Sequence, residues 1–180
     1  MTGSEQRIAR VIAKRRDQVL ARQETWALVR RVLLLAVIAF AALTQVFLIT
    51  QVDGQEMFPA VKDGDLALVY RLQRSYMRGD VVAYEVNGQM RFGRIAGMPG
   101  DEVAISTNGT LLVNGLIQSG EILFPTEPRN GEAFTCSVPD GCYYILGDYR
   151  TQAEDSRDFG PVPAQDMTGK LITILRRRGL

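Results

Sequence analysis

No histidine occurs among the 180 residues of this chain, which bounds its possible chemistry. A Ser-His-Asp or Cys-His hydrolase and a His-ligated metal centre are therefore excluded, and no metal or other cofactor is expected. The only lysines are Lys14, Lys62 and Lys170. The two cysteines, Cys136 and Cys142, enclose the turn-forming stretch Val138-Pro139-Asp140-Gly141. Their spacing is not that of a redox Cys-x-x-Cys pair, and no further ligands accompany them for a metal. A structural disulfide between them is expected if the compartment is oxidising.

Positioning such groups needs a core, and with 46% apolar and 23% charged residues the chain can build one. Turn pairs punctuate the chain after Gln51: Asp63-Gly64, Gly79-Asp80, Asn87-Gly88, Pro99-Gly100, Asn108-Gly109, Asn114-Gly115, Asp140-Gly141 and Gly147-Asp148. Between them lie short β-branched and aromatic runs, which predict strands over 66–70, 81–86, 89–95, 102–106, 110–113, 143–146 and 171–175. The pair flanking Asn87-Gly88 is expected to form a hairpin with a type I′ turn. No helix of useful length is expected there, so 51–180 reads as one all-β domain.

Residues 32–50, VLLLAVIAFAALTQVFLIT, carry no charge and only Thr44, Gln45 and Thr50 are polar. That run predicts a single transmembrane helix, since a buried soluble helix of this length would show a polar face. A long preceding segment and the lack of a small-x-small site argue for a retained anchor over a cleaved signal. Residues 1–31 hold eight basic side chains against Glu5, Asp17 and Glu24. This asymmetry predicts a basic cytoplasmic segment and an extracytoplasmic domain beyond the anchor, in the cell membrane. The formal charge of +1 argues against nucleic acid as a partner. Arg176, Arg177 and Arg178 stand near the C-terminal end, and two readings stand for them: contact with anionic headgroups, or the solvated end of a last strand.

Read in order, Val52-Asp53-Gly54-Gln55-Glu56-Met57-Phe58-Pro59, Gly64-Asp65, Gly79-Asp80-Val81-Val82, Arg94-Ile95-Ala96-Gly97-Met98-Pro99-Gly100-Asp101, and Gly147-Asp148-Tyr149-Arg150 with Asp155-Ser156-Arg157-Asp158-Phe159-Gly160 resemble the successive boxes of the type I signal peptidases. The resemblance implies a signal-peptidase-like, mainly β fold behind one membrane helix. It also implies a serine nucleophile with a lysine base, which needs no histidine. A serine is a poor nucleophile until a base takes its proton, and a lysine can do so only if burial lowers its pKa.

At the matching positions this chain has Glu56 in place of the serine and Gly93 in place of the lysine, and Ala153 where a neighbouring serine is usual. Lys62, Lys170 and Ser75 lie outside the positions that could replace them. Glu56, alone in a groove built for an apolar segment, is expected to resist ionisation. Arg94 adjoins Gly93, but strand neighbours point to opposite faces, so a Glu56–Arg94 pair does not follow. The resemblance places Gly54, Gln55, Glu56, Met57, Pro59, Phe92, Gly93 and Arg94 along a binding groove, and Asp101, Asp148, Arg150, Asp155 and Arg157 in supporting roles.

The expectation is a groove that binds signal or anchor segments of exported precursors without cutting them, with no catalytic residue retained. Dyad-less relatives of this kind are associated with pilus assembly in Gram-positive bacteria, so pilins and a sortase are the expected partners. The alternative is an active signal peptidase.

Overall fold

The computed structural model describes residues 3–118 and 123–176, with the backbone course alone for 3–24. The chain divides into two compact units, Met1–Gln45 and Val46–Leu180. The first is a helix, α1 (Gly3–Val46). Its stretch Thr25–Val46 is 22 residues long and apolar enough to cross a membrane, and none of it is buried within the chain. At 1.5 Å per residue it runs about 33 Å, close to the thickness of a bilayer core.

The expected span of 32–50 is corrected at its C-terminal end. Phe47–Gln51 leaves the helix as strand β1 and pairs antiparallel with β2 (Leu66–Tyr70), Phe47 opposite Tyr70 and Gln51 opposite Leu66. A Phe-Leu-Ile-Thr run is apolar enough to extend a membrane segment, but its β-branched and aromatic side chains suit a strand equally. Pairing with β2 decides between the two.

The second unit is mainly β. After β2 come β3 (Val81–Val86), β4 (Gln89–Gly97), β5 (Glu102–Ile105), β6 (Leu111–Val113), β7 (Leu116–Ile117), β8 (Phe134–Ser137), β9 (Cys142–Leu146), a single helical turn α2 (Ser156–Phe159), β10 (Val162–Pro163) and β11 (Met167–Leu175). Seven strands form one sheet in the order β1-β2-β11-β3-β4-β9-β10, and four form another, β7-β6-β5-β8. The β3–β4 hairpin pairs Val86 with Gln89 and Val81 with Arg94. Asn87 and Gly88 both take positive φ, 54° and 75°, as a type I′ turn requires.

Three apolar clusters hold these layers. Val52, Met57, Val61, Ala67, Val69, Ala83 and Phe92 form one. A second gathers Tyr76, Val82, Tyr84, Ile95, Tyr143, Ile145 and Val162. The third, with Ala96, Val103, Ile105, Leu111, Val138, Tyr144 and Leu146, joins residues of both sheets. Fully buried side chains such as Ile145 and Leu146 each contribute about 1.5–3 kcal/mol of transfer free energy.

Cys136 and Cys142 are both free thiols in this structure, half-buried against the third cluster. They belong to different sheets, Cys136 opposite Val103 on β5 and Cys142 at the start of β9. Arg177 and Arg178 lie outside the described residues, as do the side chains of the basic segment through Glu24. Arg176 turns back onto the domain, its Nε 3.6 Å from Asp65 and its Nη2 donating to the Ala60 carbonyl at 3.2 Å.

Candidate functional site

The segment that carries Glu56 is a compact loop pinned from both sides. Gly54, at φ +94°, opens it and donates its N–H to Asp63 Oδ1 at 3.0 Å. Backbone bonds from Phe58 to Gln55 and from Val61 to Met57 close its turns, and Phe58-Pro59 is a cis peptide. Met57 and Val61 drive the loop into the first apolar cluster. The Glu56 carbonyl accepts from the Tyr149 N–H at 2.9 Å. Gly147 lies against that carbonyl, where a Cβ would come within 2.7 Å of it and still closer to the Ala153 Cβ. The loop of Glu56 and the turn of Ala153 therefore meet over a residue that must be glycine.

The Glu56 side chain is paired. Arg91 Nη1 donates to its Oε1 at 2.6 Å, and Arg91 Nη2 also reaches Glu154 at 2.7 Å. Burial raises the pKa of Glu56 above the usual carboxylate value, Arg91 opposing it and Glu154 and Asp155 adding to it. Beside Glu56 opens a cavity of about 490 Å³ lined also by Gln55, Tyr149 and Gln152. Arg91 was not singled out from the sequence. The available signal is the two-residue strand period, which puts residues 91 and 93 on one face of β4 and Arg94 on the other.

Gly93 sits opposite Val82 on β3, facing the second apolar cluster. A Cβ there would lie 2.4 Å from Ile145 Cγ2 and 3.1 Å from Tyr84 Cε1. Both neighbours are fully buried. The Tyr84 hydroxyl has no hydrogen-bond partner among the described residues. Burial, and after it the charge of Glu56, raises the pKa of Tyr84 well above that of an ordinary tyrosine, so it stays neutral. Tyr84 thus adjoins both Gly93 and the charged group around Glu56.

Several residues expected along the groove stand elsewhere. Met57 and Phe92 are core side chains, 2% and 6% exposed, because each faces the first apolar cluster. Arg94 is held bidentately by Asp148, Nε to Oδ1 at 2.8 Å and Nη2 to Oδ2 at 2.6 Å, and also donates to the Gly79 carbonyl. Gln55 and Glu56 do line the cavity, and Pro59, which is half-buried, does not. Lys62 is exposed, with Nζ 5.9 Å from the Phe58 ring centroid. Lys170 is bound to Asp80 at 2.7 Å and Ser75 is exposed.

Around the site runs a set of buried charges. Asp155 and Arg157 pair at 2.8 Å with side chains 1% and 2% exposed. Asp155 also caps α2 and accepts from the Gly147 N–H at 3.1 Å. Arg150 is buried, donating to Thr126 Oγ1 at 2.6 Å while its carbonyl accepts from Arg157. At the other end of β4, burial works against ionisation of Asp101. The Met98 N–H, the Asn114 amide and Arg78 outweigh it and hold the carboxyl below its ordinary range.

The sequence model of the signal peptidase, peptidase S26 family matches residues 25–175. The chain is 31% identical over 137 residues to a signal peptidase I of Bacillus caldolyticus, covering 67% of this chain and 74% of that one. It is 29% identical over 140 residues to a signal peptidase IB of Staphylococcus aureus, covering 67% and 73%. A crystal structure of a signal peptidase I from Enterococcus faecalis V583 matches with 29% identity and a TM-score of 0.48, over 55% of this chain and 98% of that one. With its mainly β domain and N-terminal apolar helix, the chain belongs to the signal peptidase family S26.

Proposed function

We propose that this chain binds the signal or anchor segments of exported precursor proteins and does not cleave them. The observation that carries the reading is the pair of positions 56 and 93: a carboxylate clamped by Arg91 at 2.6 Å, and a residue with no side chain. An arginine so paired stays protonated and cannot serve as a base. The cavity beside Glu56 offers contact surface, and an extended segment could add to the site through main-chain hydrogen bonds. In this reading residues 1–31 are cytoplasmic and the β domain faces the cell exterior. The clients are pilins, handled beside a sortase, as in the dyad-less relatives that the chain resembles.

The second reading is an active signal peptidase, favoured by the family match across residues 25–175 and by relatives named for that activity. One assay separates them. The full-length chain in detergent micelles, mixed with a preprotein, is expected to retain it without producing the shorter mature form. Stoichiometric or faster appearance of mature product defeats the binding reading. For the pilus role, deletion of the gene is expected to abolish pilus polymer and a Glu56→Ala chain to restore it; normal pili after deletion would remove that role.

A further inference from the structure

The absence of cleavage proposed above rests on residues 56 and 93, and the packing around Gly93 adds a third determinant. Gly93 shares a sheet face with Tyr84 on β3 and Ile145 on β9, where Ile145 stands opposite Ile95. A side chain starting at position 93 would meet the Ile145 Cγ2 methyl at 2.4 Å, Tyr84 Cε1 at 3.1 Å and the Leu146 carbonyl oxygen at 3.4 Å. Non-bonded carbons rest about 3.5–4.0 Å apart, so the first contact is too close by more than an ångström.

Neither neighbour can withdraw easily. Cγ2 is fixed directly to the β-carbon of a β-branched residue, whose χ1 is stiff, and Ile145 is 0% exposed on β9, paired with Ile95 of β4. Tyr84 is also 0% exposed, and its ring packs against Phe159 at a centroid distance of 6.3 Å. We propose that Ile145, backed by Tyr84, fills the slot through which a base at position 93 would reach position 56, so that residue 145 is a determinant of whether this fold can hydrolyse. This deepens the non-cleaving reading and rests on it. A lysine at 93 would have its stem obstructed at the first carbon, and its ammonium would be carried away from residue 56. Exchanging residues 56 and 93 alone does not rebuild the reaction.

The test uses the full-length chain in detergent micelles and two readouts. In thermal melts, Gly93→Ala is expected to lower Tm by roughly 5 °C or more through overpacking. In an Ile145→Ala background the same change should cost little or raise Tm, because the added methyl enters the space vacated. An Ile145→Val background keeps the γ2 methyl and should give no relief. Equal losses in all three backgrounds, or no loss in the unaltered chain, overturn the proposal.

With a preprotein, Glu56→Ser/Gly93→Lys is expected to fold without cutting, and adding Ile145→Ala to produce mature product at least about tenfold faster. Cleavage by the double variant overturns this inference and leaves the non-cleaving reading of the natural chain intact. Cleavage by the natural chain defeats that reading instead, and the melting cycle still decides whether Ile145 closes the slot.

Discussion

Glu56 and Arg91 are 2.6 Å apart, yet burial moves the carboxyl more than the guanidinium does. With Glu154 drawing on the same arginine, two carboxylates share one guanidinium at 2.6 and 2.7 Å. The folded-state pKa of Glu56 is therefore raised above the usual 4.5. A raised carboxyl pKa means that the folded chain holds the proton more tightly than the unfolded one. Its contribution to stability is full below that usual value and is lost as pH rises through the folded one. The Tm of Glu56→Gln relative to the natural chain is accordingly expected to be higher at pH 7 than at pH 4. An unchanged or reversed difference in melts at the two pH values would mean that Arg91 outweighs burial. The sequence made positions 56, 93 and 153 legible because the first falls inside a recognisable box, the second directly before one and the third between the two parts of the last. Arg91, Tyr84 and Ile145 fall outside any box, and it is packing between three strands that brings them to the site.

Among the elements, the single turn α2 depends on charge more than on length. Four residues cannot sustain a helix by propensity alone. Asp155 supplies the cap, with Asp158 returning a bond to the Asp155 N–H, and the buried Asp155–Arg157 pair ties the turn to the Gly147 backbone and the Arg150 carbonyl. Removing one partner leaves the other charged and desolvated. Arg157→Met is expected to cost about 3–5 kcal/mol in denaturant unfolding, well beyond the ~0–1 kcal/mol of an exposed pair. A loss below about 1 kcal/mol would contradict the buried-pair account. The strands were legible in proportion to their punctuation. Asp63-Gly64 and Asn87-Gly88 bracket β2 and β3 so closely that both were expected at their observed limits. β1 hid inside an apolar run, while β7, β8 and β10 are two to four residues long and lack an alternating pattern to announce them.

For the whole molecule, the near-neutral formal charge of +1 conceals an uneven distribution that bears on orientation. Eight basic residues precede residue 32, against three acidic ones. Arg30 and Arg31 directly precede the uncharged run that begins at Val32. Arginines this near the end of a span can extend their stems along the helix and keep their guanidinium groups at the interface. In the proposed orientation they would pin that end to the side where the positive charge collects, and the positive-inside bias would make that side the cytoplasm. The opposing cations at the C-terminal end have little weight, since they lie far along the chain and Arg176 is already bonded to Asp65 and Ala60. In intact spheroplasts, externally added protease is therefore expected to degrade the β domain while sparing an epitope tag placed before Gly3. Replacing Arg15, Arg16, Arg30 and Arg31 by glutamine should produce a mixed population in which part of the β domain becomes protected. A domain resistant until the membrane is permeabilised would place it in the cytoplasm, out of reach of exported segments on the far side, and would remove the topological basis of the proposed function.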